Sequence, residues 1–140
     1  MPKIIIDEVA PEKIKELLIN DFRDYNTHYF GKYKLEKFAF YINNDASEMI
    51  AGLYGFVLKK YSTVRIEFLF VKEVYRNQGV GKQLLEQLKK YAHDKNCNKI
   101  QVSTMEFQGP QFYEKNDYER IGIIPKWFCD KDEIFFEKKL

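Results

Sequence analysis

Val71-Lys72-Glu73-Val74-Tyr75-Arg76-Asn77-Gln78-Gly79-Val80-Gly81-Lys82 is the stretch on which the reading of this chain turns. The segment leading into it, Thr63–Val71 (TVRIEFLFV), is apolar and rich in β-branched and aromatic residues, and reads as a strand. The segment leaving it, Lys82–Asp94, reads as a helix. Leu84, Leu85, Leu88, Tyr91 and Ala92 form one apolar stripe, and Gln83, Glu86, Gln87, Lys89, Lys90 and His93 form the polar face. Between strand and helix, Gly79 and Gly81 stand one residue apart. A glycine-rich turn of this kind gathers backbone N–H groups at the positive end of a helix dipole. That makes an anion site, and phosphate is its commonest occupant.

Two familiar phosphate loops do not fit. A nucleotide P-loop needs G-x-x-x-x-G-K-[ST]. Here Arg76 stands at the first glycine, and Gln83 follows Gly81-Lys82. A dinucleotide fingerprint needs G-x-G-x-x-G, and its third position is Leu84. What remains is Arg76-x-x-Gly79-x-Gly81.

Working outward, Lys99–Thr104 (KIQVST) reads as a strand after the helix, so Val64–Thr104 holds a β-α-β unit with a parallel strand pair. Upstream, Lys37–Asn43 and Met49–Tyr61 read as strands. Asn43-Asn44-Asp45 and Ser62-Thr63 are the turns, giving an antiparallel meander. Gly52 and Gly55 mark a twist or bulge in the second of these strands. Lys3–Val9 (KIIIDEV) reads as a first strand. Pro11 then opens a helix with Ile14, Leu17, Leu18, Phe22, Tyr25 and Tyr29 on one face, and Gly31 stops it. Downstream, Pro110 opens a short helix. Tyr118–Ile124 and Glu133–Lys138 read as the last strands, separated by a loop starting at Pro125-Lys126-Trp127. The order β-α-β-β-β-α-β-α-β-β makes an α+β fold with a mixed sheet.

Composition narrows the class. At 140 residues and 45% hydrophobic, the chain is expected to form one domain, 1–140, with a real core. A net charge of +2 is too small for a nucleic-acid binder. Cys97 and Cys129 have neither metal-ligand spacing nor a disulfide framework, so no metal is expected. No apolar run reaches membrane-spanning length and no signal sequence precedes Lys3, so the expected location is cytoplasmic, with no membrane partner.

Arg76-x-x-Gly79-x-Gly81 resembles the R/Q-x-x-G-x-G/A pyrophosphate loop of the GCN5-related N-acetyltransferase (GNAT) family, whose cosubstrate is acetyl-CoA. A second stretch, Phe112-Tyr113-Glu114-Lys115-Asn116-Asp117-Tyr118, is similar to that family's [LF]-Y-x-K-x-G-[FY] segment, with Asp117 in place of glycine. Asp tolerates the left-handed helix-end conformation that the glycine serves. Where many members have an asparagine beside the cofactor, Glu106 stands here, and Gln108 is the substitute. The resemblance covers nearly the whole chain and is strongest from Glu67 to Tyr118.

It implies a mixed seven-stranded sheet with helices on both faces, and direct acetyl transfer from acetyl-CoA to a primary amine of a small molecule or peptide. Leu69, Phe70 and Val71 would lie along the pantetheine arm, with the Phe70 N–H polarising the thioester carbonyl. The N–H groups of Gln78, Gly79, Val80, Gly81 and Lys82 would hold the pyrophosphate, with Arg76 as an added cation. Tyr113 matches the family's general acid toward the CoA sulfur. Glu67 is the candidate base, with Glu106 or water as alternatives. His93, on the polar helix face, reads as solvated, and His28 is a weak candidate. A non-catalytic acyl-CoA-binding module on the same fold is the rival class, since fold does not fix function. The acceptor, the acyl group and a homodimer stay open at this stage.

Overall fold

The computed structural model describes residues 1–140, Phe30 by its backbone alone, and they fall into two units, Met1–Tyr33 and Lys34–Leu140. In the first unit, helix α1 (Pro11–Phe30) starts with Pro11 in its first turn and stops at Gly31, which sits at φ 74° with its N–H donating to the Thr27 carbonyl. Lys3–Val9 is not a strand. Asp7 Oδ1 accepts the N–H groups of both Val9 and Ala10 at 2.9 Å. That side-chain bond offers the backbone a turn instead of a ladder, and the chain bends into α1. Ile5 lines a shallow groove with Ile14, Leu18 and Phe22.

The second unit carries a six-stranded mixed sheet, one strand fewer than expected. Its strands are β1 (Leu35–Asn43), β2 (Met49–Leu58), β3 (Thr63–Val71), β4 (Lys99–Met105), β5 (Glu119–Phe128) and β6 (Lys131–Lys139), in the order β1-β2-β3-β4-β6-β5. Helix α2 (Val80–Asp94) crosses from β3 to β4, which pair in parallel, and α3 (Pro110–Lys115) follows β4. The remaining pairs are antiparallel. The turn at Asn44 forms as its chemistry requires, with Asn44 Oδ1 accepting the N–H groups of Ala46 and Glu48 at 3.0 Å. β5 runs through Pro125-Lys126-Trp127, expected as loop. The irregularity survives as a break in register between Ile124 and Phe128, with Lys126 at φ 48°.

One hydrophobic cluster unites α2, α3 and one face of the sheet. It includes Leu84, Leu85, Leu88 and Ala92 of α2, Tyr113 of α3, and Leu53, Val57, Val64, Ile100 and Phe136 of the strands. The opposite face of β1–β3 carries Tyr41, Met49, Phe68 and Phe70, all exposed. With Ala39, Tyr54 and Lys72 they line a groove of about 410 Å³.

The irregularity suggested by the two glycines of β2 is a bulge in its neighbour. Tyr54 pairs with Phe68, but Gly55 pairs with Ile66, so Glu67 is the extra residue. Burial along β3 changes parity there. Val64 and Ile66 are buried, Glu67 and Phe68 are both exposed, and Leu69 and Val71 then turn back toward the core. Gly55 makes this geometry possible, because a Cβ at that position would lie 2.2 Å from the Arg65 carbonyl oxygen and 3.1 Å from the Phe38 ring. Backbone cannot yield as a flexible side chain can. Gly55→Ala is therefore expected to destabilise the protein by about 1–3 kcal/mol, the usual range for forced overpacking. A urea melt checks this; an unchanged midpoint would show that the bulge does not depend on the missing side chain.

Candidate active site

β3 and β4 pair over Thr63–Arg65 and Lys99–Gln101 only. From Ile66 onward β3 keeps β2 as its sole strand partner, and from Val102 onward β4 keeps β6. The two strands therefore separate toward Val71 and Met105 and leave an open V-shaped edge.

Ladder parity says which backbone groups face that opening. Lys72 N–H donates to the Ile50 carbonyl at 2.9 Å. In an antiparallel pair the bonded positions alternate, so Phe70, opposite Gly52, also turns its N–H toward β2. Leu69 and Val71, opposite Leu53 and Ala51, turn theirs the other way. The expected polarising donor, the Phe70 N–H, is thus committed to the sheet, and the Leu69 and Val71 N–H groups are the ones facing the cleft. The Val71 carbonyl, pointing the same way, accepts from Arg76 Nε at 2.9 Å. On the opposite bank the Met105 N–H is already taken by Gln108 Oε1 at 3.1 Å, which leaves only the amide nitrogen of Gln108 for another partner.

At the wide end of the cleft the glycine loop opens α2. Gly79 is the N-cap residue at φ 81°, a left-handed conformation that favours glycine, and no side chain caps the helix. The first helical bond runs from Gln83 N–H to the Gly79 carbonyl, 3.0 Å. The N–H groups of Val80, Gly81 and Lys82 therefore have no acceptor within the helix and point out of its positive end. Arg76, three residues before Gly79, donates from Nε to the Val71 carbonyl, and its guanidinium lies 5.3 Å from the centroid of the Phe70 ring. The Gln78 side chain turns aside, its amide nitrogen donating to the Val74 carbonyl at 3.0 Å.

Gly81 has a second role. A Cβ there would meet the Phe112 ring at 3.0 Å and Val71 Cγ2 at 3.7 Å. The glycine loop, the end of β3 and α3 thus touch at one point. Beside Phe112, at 5.2 Å between ring centroids, lies Tyr113. Tyr113 is 6% exposed and packs on Tyr118 and Phe136 at 5.5 and 5.7 Å. Burial pushes its phenol up to about 12. Its helix is closed by a left-handed cap: Asp117 takes φ 66°, Tyr118 N–H donates to the Tyr113 carbonyl at 3.0 Å, and Asp117 N–H to that of Glu114 at 3.1 Å. Asp117 does what glycine would do, and Asn116 Nδ2 adds a bond to the Phe112 carbonyl at 2.7 Å.

The model of the GNAT acetyltransferase domain matches residues 36–120. The chain belongs to the GNAT acetyltransferase family. It is 30% identical over 94 residues to the blasticidin-S acetyltransferase of Streptomyces morookaense, spanning 66% of this chain and 68% of that one. Its fold is similar to that of an acetyltransferase from Bacillus cereus (28% identity, 100% and 98% of the two chains, TM-score 0.80). A GNAT acetyltransferase from Elizabethkingia anophelis solved with acetyl-CoA bound shares the fold at 20% identity, 84% and 83% coverage and TM-score 0.63.

For a GNAT acyltransferase the two carboxylates offered by the sequence are not equivalent. Glu106 is paired with Lys131 at 3.7 Å. Glu67, on the bulge where β3 leaves β4, is exposed and carries no ion pair among the described residues. Among the described residues no cluster of metal-ligating side chains occurs, and no helix is long and apolar enough to cross a membrane. Sequence reading did not single out the Gly81–Phe112 contact. Its only trace is that both residues fall in motifs, with nothing local to say that the motifs touch. The contact sets the expectation for Gly81→Glu. A first-turn Glu gains about 0.3–1 kcal/mol from the helix dipole, less than the about 1–3 kcal/mol of displacing Phe112. The variant is expected to melt lower and to bind CoA at least about tenfold more weakly. Calorimetric titration with CoA checks it, and unchanged affinity in the folded variant would remove the loop from the cofactor site.

Proposed function

We propose that residues 1–140 act as one acetyltransferase domain that transfers acetyl from acetyl-CoA directly to a primary amine of a small molecule or peptide. The observation that carries this reading is the joint opening of β3 from β4 beside the uncapped N-terminus of α2. A strand edge with free N–H groups suits the amide-bearing pantetheine arm, and a helix N-terminus flanked by Arg76 suits a pyrophosphate. The family match and the acetyl-CoA complex of a fold neighbour support the same cosubstrate. The relative that acetylates blasticidin S supports a small-molecule acceptor.

In this reading the neutral amine attacks the thioester carbonyl carbon. The C–N bond forms, and the carbonyl pair moves onto oxygen. The Leu69 or Val71 N–H stabilises that oxyanion. Glu67, directly or through water, takes the ammonium proton. The C–S bond then breaks, and the thiolate takes a proton from Tyr113. Direct transfer is favoured over a cysteine intermediate. Burial raises the Cys97 thiol, which keeps it protonated and poorly nucleophilic, and Cys129 lies in the β5–β6 turn at φ 49°.

Tyr113 is a weak acid for this task. With its phenol at about 12 and a thiol near about 8.5, complete proton transfer is uphill by about 5 kcal/mol. Barriers for ordinary turnover are about 13–17 kcal/mol, so the step is compatible with catalysis. Because burial raises this acid, its protonated form persists until pH climbs toward about 12.

The experiment is a thiol-release screen with acetyl-CoA against polyamines, aminoglycosides, amino acids and peptide N-termini, followed by Tyr113→Phe with the fastest amine. That variant is expected to lose about tenfold or more in kcat, with CoA affinity nearly unchanged because the glycine loop is intact. The wild type should show no alkaline loss assignable to Tyr113 below about pH 10. A kcat within about twofold of wild type, with chemistry rate-limiting, would reduce Tyr113 to a packing residue.

A further inference from the structure

The last pair of β3 with β4 is Arg65 with Gln101. Counting two residues on brings Glu67, on one bank of the opening, level with Ser103 on the other. Ser103 alternates with buried Val102 and Thr104, so its side chain lies on the face of the sheet away from the core. Its Oγ donates to Glu133 Oε1 of β6 at 2.8 Å. Both residues are half-buried, and among the described residues Glu133 has no ion pair. Lys131, two residues away, is paired with Glu106 at 3.7 Å, and Arg65 stands level with Gln101, below the fork. Gln101 Nε2 holds Glu137 Oε2 in the same way at 2.8 Å, but at a level where β3 is still paired. Ser103 with Glu133 is therefore the pair that borders the opening.

A hydroxyl has one proton. With that proton given to a carboxylate, Ser103 Oγ is left to accept, and the negative charge behind it strengthens that role. From Val102 onward β4 has β6 as its sole strand partner, so the side of Ser103 toward β3 is uncovered by strand. An accepting oxygen backed by a carboxylate faces Glu67, an exposed carboxylate without an ion pair among the described residues. That surrounding suits a cation built only of donors, and an alkylammonium has three N–H donors and no acceptor. The direction of approach agrees. α2 packs on the core face, so the uncapped N–H groups of Val80, Gly81 and Lys82 belong to that side, and the other face is left to the acceptor.

Resting on the acetyl-transfer reading, we propose that Ser103 binds the acceptor amine in its ammonium form, with Glu133 as the positioning residue that fixes the hydroxyl. The acceptor class follows: an alkylamine, cationic at neutral pH, and not a weakly basic arylamine. One ammonium proton passes to Glu67. The lone pair so freed attacks the thioester carbonyl carbon, while a remaining N–H stays on Ser103 Oγ. The contact is made before and during attack, so its loss falls on KM more than on kcat.

The test is steady-state thiol release by Ser103→Ala, Ser103→Thr and Glu133→Gln in the full chain, beside CoA calorimetry and thermal melting. The acceptor is the fastest amine of the screen, with aniline added to the panel. Ser103→Ala and Glu133→Gln are each expected to raise KM for the amine by about tenfold, with kcat within about threefold of wild type. KM for acetyl-CoA and CoA affinity should stay within about twofold, since the cofactor lies on the other face. Ser103→Thr keeps the hydroxyl on a residue that suits a strand, and should bring the amine KM back to within about threefold. An unchanged amine KM in Ser103→Ala overturns the proposal, and with a lowered Tm it reduces the pair to a cross-strand contact of the sheet. A rise in KM shared equally by acetyl-CoA, no rescue by threonine, or aniline outpacing every alkylamine overturns it as well. Absence of thiol release with every amine would sink the transfer reading and the subsite with it, whereas thiol release with an unchanged amine KM overturns the subsite alone.

Discussion

The missing side chain of Gly55 is the constraint on which the rest of the site depends. Because the Arg65 carbonyl can come within 2.2 Å of where a Cβ would stand, β3 can carry an extra residue at Glu67 against β2. The bulge bends the strand and reverses its facing. Two consequences follow at once. β3 leaves β4 after three paired positions, which opens the edge. The alternation of side chains is also reset, so that Leu69 and Val71 rejoin the buried cluster while their N–H groups face away from β2. Without the bulge, parity would place Phe68 and Phe70 in the core and give the cleft a different set of backbone donors. The unpaired N–H groups are tolerable because an open cleft gives them water until a ligand replaces it.

A second link makes the first turn of α2 and the proposed acid, Tyr113, mechanically dependent. Gly81 lies in the first turn of α2 and takes the Phe112 ring against its bare Cα, and Tyr113 follows Phe112 in α3. The turn that carries the N–H groups of Val80, Gly81 and Lys82, the proposed pyrophosphate site, is the turn that supports α3. The left-handed cap at Asp117 ties the Tyr113 carbonyl to the Tyr118 N–H, so the two phenols share one short rigid segment as well as a ring contact. In the proposed reaction, cofactor and acid would therefore be positioned by neighbouring contacts of a few ångströms, at which misplacement is costly to rate.

What the sequence makes legible here is what is decided locally. The glycine turn, the α2 stripe, the Asn44 turn and the left-handed Asp117 all follow from side chains acting on their own backbone, and each appears where those rules place it. The failures are decided by distant partners or by a competing local bond. Lys3–Val9 has the apolar content of a strand, but Asp7 captures two N–H groups and turns the chain. The Phe70 N–H turns to β2 instead of the cleft because ladder parity depends on a bulge, and the bulge depends on Gly55, a residue of the neighbouring strand. Glu106 and Glu67 look alike in sequence, yet only Glu106 meets a lysine, Lys131, brought alongside by β6. The turn between β5 and β6 uses Cys129 and Asp130 at φ 49° and 56°, positions where Asn-Gly would have announced a hairpin.

Why a phenol suits the proposed acid position can be argued from burial. A histidine in the place of Tyr113, among Phe112, Tyr118 and Phe136, would lose its proton to desolvation and arrive at the thiolate as a base. A carboxylic acid would be held neutral by the same burial, but once ionised it would leave a charge that no neighbouring cation neutralises directly: Lys138 is engaged with the Asn116 carbonyl and Arg120 with Glu114. A phenol is protonated at any ordinary pH, and desolvation makes it more so. Its weakness as an acid is the corresponding cost, because the burial that keeps the phenol protonated also holds its proton more tightly.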